Sequence, residues 1–243
     1  MNRVHQFDYQ VNPPTPERVA ETFWQDGIVA LHGFYDSADV AEVARELDAT
    51  VATDPDRPFG GGPGYAERFD TKVQVWSAND QPTCRSLMAD ERLAAITEAI
   101  CGPGYQTPAA LGIFSTPHGC GQGWHQDSGS EELGDYEVNR ILFPKDVMVE
   151  QGRLVCVAGS HLRGRLPAGG NHEPIEGEQT FAPTSNTVVL MHTRCYHRVE
   201  PNSTYIARTQ VNSRARPATT ADDVCNYAVF RTGTWNFKTA SPW

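Results

Sequence analysis

The chain has 243 residues, of which 39% are hydrophobic, enough to bury a sizeable core and to argue against extensive disorder. Its 20 Lys and Arg against 30 Asp and Glu leave a net charge of −10, which repels phosphate backbones and anionic membranes and argues against both as partners. Neither an 18-residue apolar run nor a secretory signal is present, and the six cysteines form no Cys-x-x-Cys pair. These features predict a cytoplasmic protein with free thiols.

The first hundred residues predict helices. One helix covers residues 16–24, with Thr15 as its N-cap, and a second follows Ser37, where an apolar stripe recurs at helical spacing. A third is expected over residues 86–100, and a short buried strand at residues 27–31 separates the first two. The helical part therefore extends over about residues 15–105.

From about residue 106 the chain changes to short apolar or alternating runs broken by Gly, Pro, Asn and Asp, which predicts an antiparallel sandwich or barrel. These runs lie at residues 111–115, 138–143, 153–158, 186–192 and 204–212. The Pro- and Gly-rich segment at residues 53–65 lacks the Gly-Lys-Ser/Thr of a phosphate-binding loop, which favours a lid or a linker. No composition shift divides the chain, so the expectation is one domain over residues 1–243, with a β core over about 106–230.

The segment Trp124-His125-Gln126-Asp127 carries the first candidate chemistry. In an extended strand the period of two places the side chains of His125 and Asp127 on one face, where they can bind one ion, and turns Trp124 to the other face. A His-x-Asp pair is unspecific by itself, because it occurs by chance in a chain with 8 His. The alternative is a strand end with a hydrogen-bonded histidine.

A later segment adds His197 and, eleven residues further on, Arg208. Two imidazoles and one carboxylate are the ligand set that holds Fe(II) and leaves other positions open for oxygen and an organic co-substrate. Ile206, Arg208, Gln210 and Asn212 are expected to share one face of a strand. A buried guanidinium requires an anion, and its planar fork fits a carboxylate; an internal Asp or Glu and a bound ligand both remain open.

Several motifs resemble, in order, the phytanoyl-CoA dioxygenase-like branch of the iron(II)/2-oxoglutarate-dependent oxygenases. The first is Phe23-Trp24-Gln25-Asp26-Gly27-Ile28-Val29, and the second is Pro117-His118-Gly119 leading into the His125 segment. They continue with residues 152–161, which contain Gly-Ser-His, and with the block from residue 188 to Arg208. The resemblance runs from about residue 20 to residue 216.

This resemblance implies a mainly β fold with flanking helices and a double-stranded β-helix (jelly-roll, cupin-like) core. It implies Fe(II) bound by His125, Asp127 and His197, with 2-oxoglutarate as co-substrate, O2 as oxidant, and Arg208 on the distal carboxylate of 2-oxoglutarate. Two further co-substrate contacts are matched less closely, Lys72 and Gln106. The family often carries Ser or Thr two residues after the second histidine, whereas this chain has Val199.

The resemblance also bears on the reaction. Halogenating relatives replace the carboxylate ligand by Ala or Gly, so Asp127 favours hydroxylation or a related oxidation of a small molecule, with a specialised metabolite as the preferred substrate class. Two alternatives remain: a non-catalytic cupin-like protein that binds a metal or a small molecule, and a zinc-dependent hydrolase using the same ligands.

Other polar and aromatic segments receive structural interpretations. His161 is expected in a structural Gly-Ser turn, and three other histidines are expected at the surface or behind the metal ligands, His118, His172 and His192. The acidic run at residues 128–137 is either a solvated loop or a rim that attracts a cationic substrate through Glu131 and Glu132. The aromatic tail at residues 232–243 either docks on the body of the protein or joins the interface of a homodimer.

Overall fold

A computed structural model describes residues 4–53, 65–69, 71, 73–128, 134–221 and 227–236. Within these residues, five helices precede most of the β core. They are α1 Pro16–Asp26, α2 Ser37–Thr53, α3 Tyr65–Phe69, α4 Pro82–Met88 and α5 Glu91–Cys101. Most of the predicted Pro- and Gly-rich loop, residues 54–64, lies outside the described residues.

The first helix forms for the predicted reasons. The Thr15 hydroxyl accepts a hydrogen bond from the Arg18 amide at 3.3 Å, and Pro16 occupies the first turn, where no amide donor is needed. The helix ends at Gly27, which adopts a φ of 71° and donates its amide to the Phe23 carbonyl. Its apolar face buries Val19 and Phe23, whereas Trp24 stays 38% exposed.

The prediction of one helix over residues 86–100 is wrong, because the segment forms α4 and α5 with a break at Asp90. Asp90 has extended backbone angles, and its carboxylate accepts from the amides of Arg92 and Leu93. An aspartate that accepts these hydrogen bonds is more favourable at the start of a helix than in its interior. The local capping preference therefore overrides the continuous apolar periodicity.

In the described parts of the chain, thirteen strands form two sheets. They are β1 His5–Asp8, β2 Ile28–His32, β3 Val73–Ser77, β4 Gln106–Ser115, β5 Gln122–Gln126, β6 Val138–Phe143, β7 Leu154–Val157, β8 Glu178–Phe181, β9 Thr187–His192, β10 His197–Val199, β11 Arg208–Arg216, β12 Tyr227–Phe230 and β13 Gly233–Asn236. The larger sheet has the order β1-β2-β9-β6-β11-β4-β3, and the smaller has the order β13-β12-β5-β10-β7-β8. Apart from the parallel β1–β2 pair, the pairings are antiparallel.

This arrangement confirms the mainly β fold with a jelly-roll core. The strand predicted at residues 204–212 begins late, at Arg208, because Asn202 closes the preceding loop by donating its side-chain amide to the carbonyls of Thr116 and Ile206. Ile206 is 57% exposed and lies before the strand, so the predicted face shared with Arg208 does not include it. The single-domain assignment remains a prediction.

Helices and strands enclose two apolar layers. The outer face of the larger sheet packs against the helices and buries Phe23, Val29, Leu47, Ile96, Phe114, Leu142 and Leu190. The space between the sheets buries a second cluster, Ile28, Ala30, Ile141, Cys156, Val189 and Met191. Within the described residues, no helix combines the length and apolar character that a membrane crossing requires.

Candidate metal centre and anion pocket

His125 and His197 lie directly opposite each other on the neighbouring antiparallel strands β5 and β10. Directly opposed residues project to the same face, and the two imidazole centroids are 4.0 Å apart. Asp127 follows β5, and its amide donates to the Thr193 carbonyl at 2.8 Å. Trp124 is fully buried in an apolar cluster on the other face, as the alternation predicts.

The three predicted ligands converge. His125 Nε2 is 3.6 Å from Asp127 Oδ1, and His197 Nε2 is 3.6 Å from Asp127 Oδ2. Ligand atoms that each lie about 2.1 Å from a first-row metal are roughly 3.0–3.5 Å apart around it. One candidate ligand atom from each residue lies within 4.8 Å of the others, so a small contraction brings all three onto one ion.

Both imidazoles have the tautomer that a metal needs. His125 Nδ1 is 2.8 Å from the Gly123 carbonyl oxygen, and His197 Nδ1 is 3.0 Å from that of Cys195. Because a carbonyl only accepts, Nδ1 carries the proton and Nε2 presents its lone pair. Burial, followed by repulsion from His197, lowers the pKa of His125 to about 3, which keeps its ring neutral.

Asp127 is held as a carboxylate. Burial raises its pKa, but Arg214, the two histidines and a hydrogen bond from Asn139 together hold that pKa below the usual range. Arg214 Nη2 lies 3.5 Å from Asp127 Oδ2, and Arg214 Nη1 lies 3.3 Å from Glu137 Oε2. The carboxylate therefore remains anionic and available as a ligand.

Three of these neighbours were not anticipated from the sequence: Glu137, Asn139 and Arg214. Only Arg214 carried a usable signal, since its even spacing from Arg208 places both on the same face of β11. Glu137 ends the acidic run but is fully buried, so a solvated loop is wrong for that residue; burial raises its pKa against the opposing effect of Arg214. Glu131 and Glu132 lie outside the described residues.

Arg208 is a buried cation that has no carboxylate partner among the residues that the structure describes. Its side chain is 4% exposed; Nη1 donates to the Gly152 carbonyl at 2.6 Å and Nη2 to the Ser115 hydroxyl at 2.9 Å. In the described part of the chain no acidic side chain pairs with it, and Nε has no hydrogen-bond partner. Burial lowers its pKa to about 10. An internal counter-ion, one of the two options left by the sequence, is therefore not found among the described residues.

The remaining predicted contacts are distributed differently. Lys72 lies outside the described residues. Gln106 begins β4, and its side-chain oxygen accepts from Arg216 Nε at 3.0 Å and Nη2 at 2.9 Å rather than contacting the three metal-ligand candidates. Val199 is buried in the apolar cluster between the sheets, so it supplies no hydroxyl where the family often has one. The roles of Lys72 and Gln106 in co-substrate binding remain predictions.

The other histidines do not join the three candidates. His161 is buried, with Nε2 3.1 Å from the Trp24 carbonyl, consistent with the structural role predicted for it. His192 is fully buried and stacks on Tyr136 at 4.9 Å, so a surface position is wrong for this residue. His118 contacts the exposed Tyr205 ring edge-on.

Comparisons with known proteins identify the family and the fold. The phytanoyl-CoA dioxygenase family model matches residues 23–209, while a search of curated proteins finds no significant match. Among solved structures, the epimerase SnoN, in complex with Fe3+, alpha ketoglutarate and nogalamycin RO, is 22% identical with a TM-score of 0.66, covering 90% of this chain and 87% of that one.

Two further structures show the same fold. The alpha ketoglutarate dependent carbocyclase SnoK from nogalamycin biosynthesis is 18% identical with a TM-score of 0.67, covering 91% of this chain and 90% of that one. HygX from Streptomyces hygroscopicus, with nickel and 2-oxoglutarate bound, is 18% identical with a TM-score of 0.65, covering 83% and 87%. At these identities the likeness establishes the fold alone.

Proposed function

Because the chain belongs to the phytanoyl-CoA dioxygenase family, whose model matches residues 23–209, we propose that it is an iron(II)- and 2-oxoglutarate-dependent oxygenase acting at a C–H bond of a small molecule. One observation carries the proposal: three converging metal-ligand candidates occupy the same inter-sheet space as a buried arginine that no described carboxylate pairs with. The first feature suits Fe(II), and the second suits a dicarboxylate co-substrate.

The donor set fits the metal. His125 and His197 present neutral nitrogen atoms and Asp127 presents an anionic oxygen, which is the two-histidine, one-carboxylate set of non-haem iron oxygenases. Bound there, iron would supply the activation of O2 that accompanies oxidative decarboxylation of 2-oxoglutarate. The protein's residues keep the ring of His125 neutral, keep the carboxylate of Asp127 ionised and limit the access of water.

Arg208 fits the far carboxylate of 2-oxoglutarate. Its unpartnered Nε would donate to an incoming carboxylate, while the bonds to Gly152 and Ser115 hold the guanidinium in place. The partner is expected to be an anion because a lone guanidinium in this position is costly to bury. SnoN and HygX, which share the fold, have been crystallised with this keto-diacid.

The substrate belongs, on this proposal, to specialised metabolism. SnoN and SnoK are named for nogalamycin and its biosynthesis, and one HygX structure contains hygromycin B. The net charge of −10 disfavours a polyanionic acyl-CoA substrate. Hydroxylation is the proposed outcome, and it converts substrate, O2 and 2-oxoglutarate into hydroxylated substrate, CO2 and succinate. Epimerisation and carbocycle formation are the reactions named for the two Sno enzymes.

Two properties of the free protein complete the proposal. Four buried cysteines, Cys84, Cys101, Cys156 and Cys195, are free thiols, the state that a reducing compartment maintains. The described part of the aromatic tail packs on the body of the protein, where the ring centroids of Trp235 and Phe69 are 5.7 Å apart in an edge-on arrangement. A homodimer interface formed by the rest of the tail remains a prediction, because residues 237–243 lie outside the described residues.

The proposal is tested by incubating the protein with Fe(II), 2-oxoglutarate, O2 and a panel of metabolites, and measuring succinate. Succinate formation that requires both iron and O2, and that yields an oxidised product, is expected. Turnover without O2 that survives replacement of iron by zinc would instead identify a hydrolase. Metal binding with no succinate from any panel member, and none above background without substrate, would favour a binding protein.

A further inference from the structure

Two buried asparagines connect the larger sheet to the candidate ligand Asp127. Asn139 in β6 is fully buried, and its Nδ2 donates to Asp127 Oδ2 at 2.7 Å. Its Oδ1 accepts from Nδ2 of Asn212 in β11 at 2.9 Å, and Asn212 is 5% exposed. We call the hydrogen-bonded chain Asn212–Asn139–Asp127 the amide relay.

The direction of the relay is fixed by chemistry. An ionised carboxylate only accepts hydrogen bonds, so Asn139 must turn its NH2 group towards Asp127 and its carbonyl oxygen away. Only a donor can then satisfy that oxygen, and Asn212 supplies one. Strand register places the two amides together, because Asn212 pairs with Ile141, two residues from Asn139 on the same face of β6.

Burial of two amides in this position is not explained by packing alone. Apolar side chains fill neighbouring inward positions, such as Ile141, and buried amides are costly unless they are hydrogen-bonded. The relay satisfies the amide of Asn139 at both ends and directs it at one atom of a candidate metal ligand. Its geometry therefore points to a positioning role.

We propose that the amide relay holds Oδ2 of Asp127 so that Oδ1 is the oxygen presented to the metal. Each carboxylate oxygen lies 3.6 Å from one imidazole nitrogen, Oδ1 from His125 Nε2 and Oδ2 from His197 Nε2, but Oδ2 also receives Asn139 at 2.7 Å and has Arg214 Nη2 at 3.5 Å. A carboxylate that binds through one oxygen would leave coordination positions for a bidentate co-substrate and for O2. A carboxylate that rotated to bind through both oxygens would take up one of those positions. The inference rests on the proposed metal site and makes Asn139 and Asn212 positioning residues.

The experiment measures Co(II) binding to the metal-free protein from the visible absorption of the bound ion, without 2-oxoglutarate. Asn139→Ala is expected to weaken Co(II) binding by about 10- to 100-fold, the usual cost of removing a group that orients a ligand. Asn212→Ala is expected to weaken it less, since Asn139 keeps its bond to Asp127. The double variant should bind Co(II) no more weakly than Asn139→Ala, because Asn212 acts only through Asn139.

Asn186→Ala is the matched control. Asn186 is buried to 6% exposure, and its side chain bonds both backbone groups of Tyr35, away from the metal-ligand candidates. This variant should unfold at a lower temperature than the wild type yet keep the wild-type affinity for Co(II). If the relay had only a structural role, the loss of Co(II) affinity would follow the loss of melting temperature in all the variants, including Asn186→Ala.

The inference is overturned if Asn139→Ala binds Co(II) within twofold of wild type, if the two single losses add in the double variant, or if Asn186→Ala weakens binding as much. If Asn139→Ala does not fold, Asn212→Ala decides, and unchanged binding there overturns the inference. Failure of the relay leaves wild-type metal binding and succinate release intact. Failure of the proposed function would instead appear as a wild-type protein that binds Co(II) but forms no succinate.

Discussion

The space between the two sheets has two ends of opposite character. Around β2 and β9 it is filled by apolar side chains, among them Ile28, Val189 and Met191. Around β5 and β11 it holds imidazoles, amides, carboxylates and the guanidinium of Arg208, which pairs with no acidic side chain of the described residues. Burial of the apolar side chains favours folding, whereas burial of the polar and charged side chains is costly without bound ions. The apolar end therefore stabilises the jelly roll, and the polar end is where the proposed metal and co-substrate would bind.

The largest effect is expected at the polar end. Asp127→Ala removes one of three metal-ligand candidates and the only anion among them, so succinate release should fall below detection. The apolar end is untouched, so thermal unfolding should remain cooperative. Both quantities can be measured on the same preparation by chromatography and circular dichroism. Turnover by the Asp127→Ala variant would contradict the role assigned to the polar end. Failure of the variant to fold would contradict the claim that the apolar end alone stabilises the jelly roll.

The converse change lies at the apolar end. Met191→Ala removes a side chain that is 1% exposed, and such truncations cost about 2–5 kcal/mol of unfolding free energy through lost burial and the cavity left behind. Urea denaturation measures this cost. The affinity for Co(II), measured well below the denaturation midpoint, should match that of wild type. Weaker metal binding in proportion to lost stability would show that the two ends are not independent.

A pH effect sharpens the comparison on the outer face of the larger sheet. Burial, followed by repulsion from His161 and Arg194, lowers the pKa of His192 well below its ordinary 6.5. The unfolded chain therefore binds a proton below pH 6.5 that the folded chain refuses. The stability contributed by neutral His192 is fully present above pH 6.5 and is lost as the pH falls from there towards the folded pKa.

His192→Phe should flatten that dependence, because the variant keeps an aromatic ring against Phe23 and Tyr136 without a titrating group. The measurement is the urea midpoint between pH 5 and 7.5 for both proteins. An equally steep loss of stability in the variant would assign the effect to other groups. Parallel activity assays should show unchanged use of 2-oxoglutarate at neutral pH.

The smallest effect is expected at a helix start outside both ends. Thr15→Ala removes the hydroxyl that caps α1, which costs about 1 kcal/mol in comparable helices. Thermal melting should report the loss, and Thr15→Ser, which keeps the oxygen, should restore most of it. If neither Thr15→Ser nor Thr15→Asp melted at a higher temperature than Thr15→Ala, the cap would contribute little to the stability of this fold.

The sequence predicted those parts of the site that depend on local geometry. The alternation of a strand places His125 and Asp127 together, and Arg208 stands out as a cation on an inward face. Asn139 and Glu137 were missed because their contacts depend on which strands pair and how the sheets close, and no periodicity encodes that. The break at Asp90 was missed for the opposite reason: a single capping residue outweighed a regular apolar pattern.

The most direct measurement of the central claim is an anaerobic titration of the protein with Fe(II) and then 2-oxoglutarate, followed by the weak visible charge-transfer band of the chelate. Arg140→Ala is a matched control for Arg208→Ala, because Arg140 is also 4% exposed and bonded to neutral groups but lies on the outer face of the same sheet.

Wild type and Arg140→Ala should develop the band at the same 2-oxoglutarate concentration. Arg208→Ala should need a 2-oxoglutarate concentration roughly 10- to 150-fold higher. This factor corresponds to about 1.5–3 kcal/mol, the contribution of a hydrogen bond with a charged group. A wild-type protein that binds Fe(II) but never develops the band, or an Arg208→Ala variant with unchanged affinity for 2-oxoglutarate, would contradict the account.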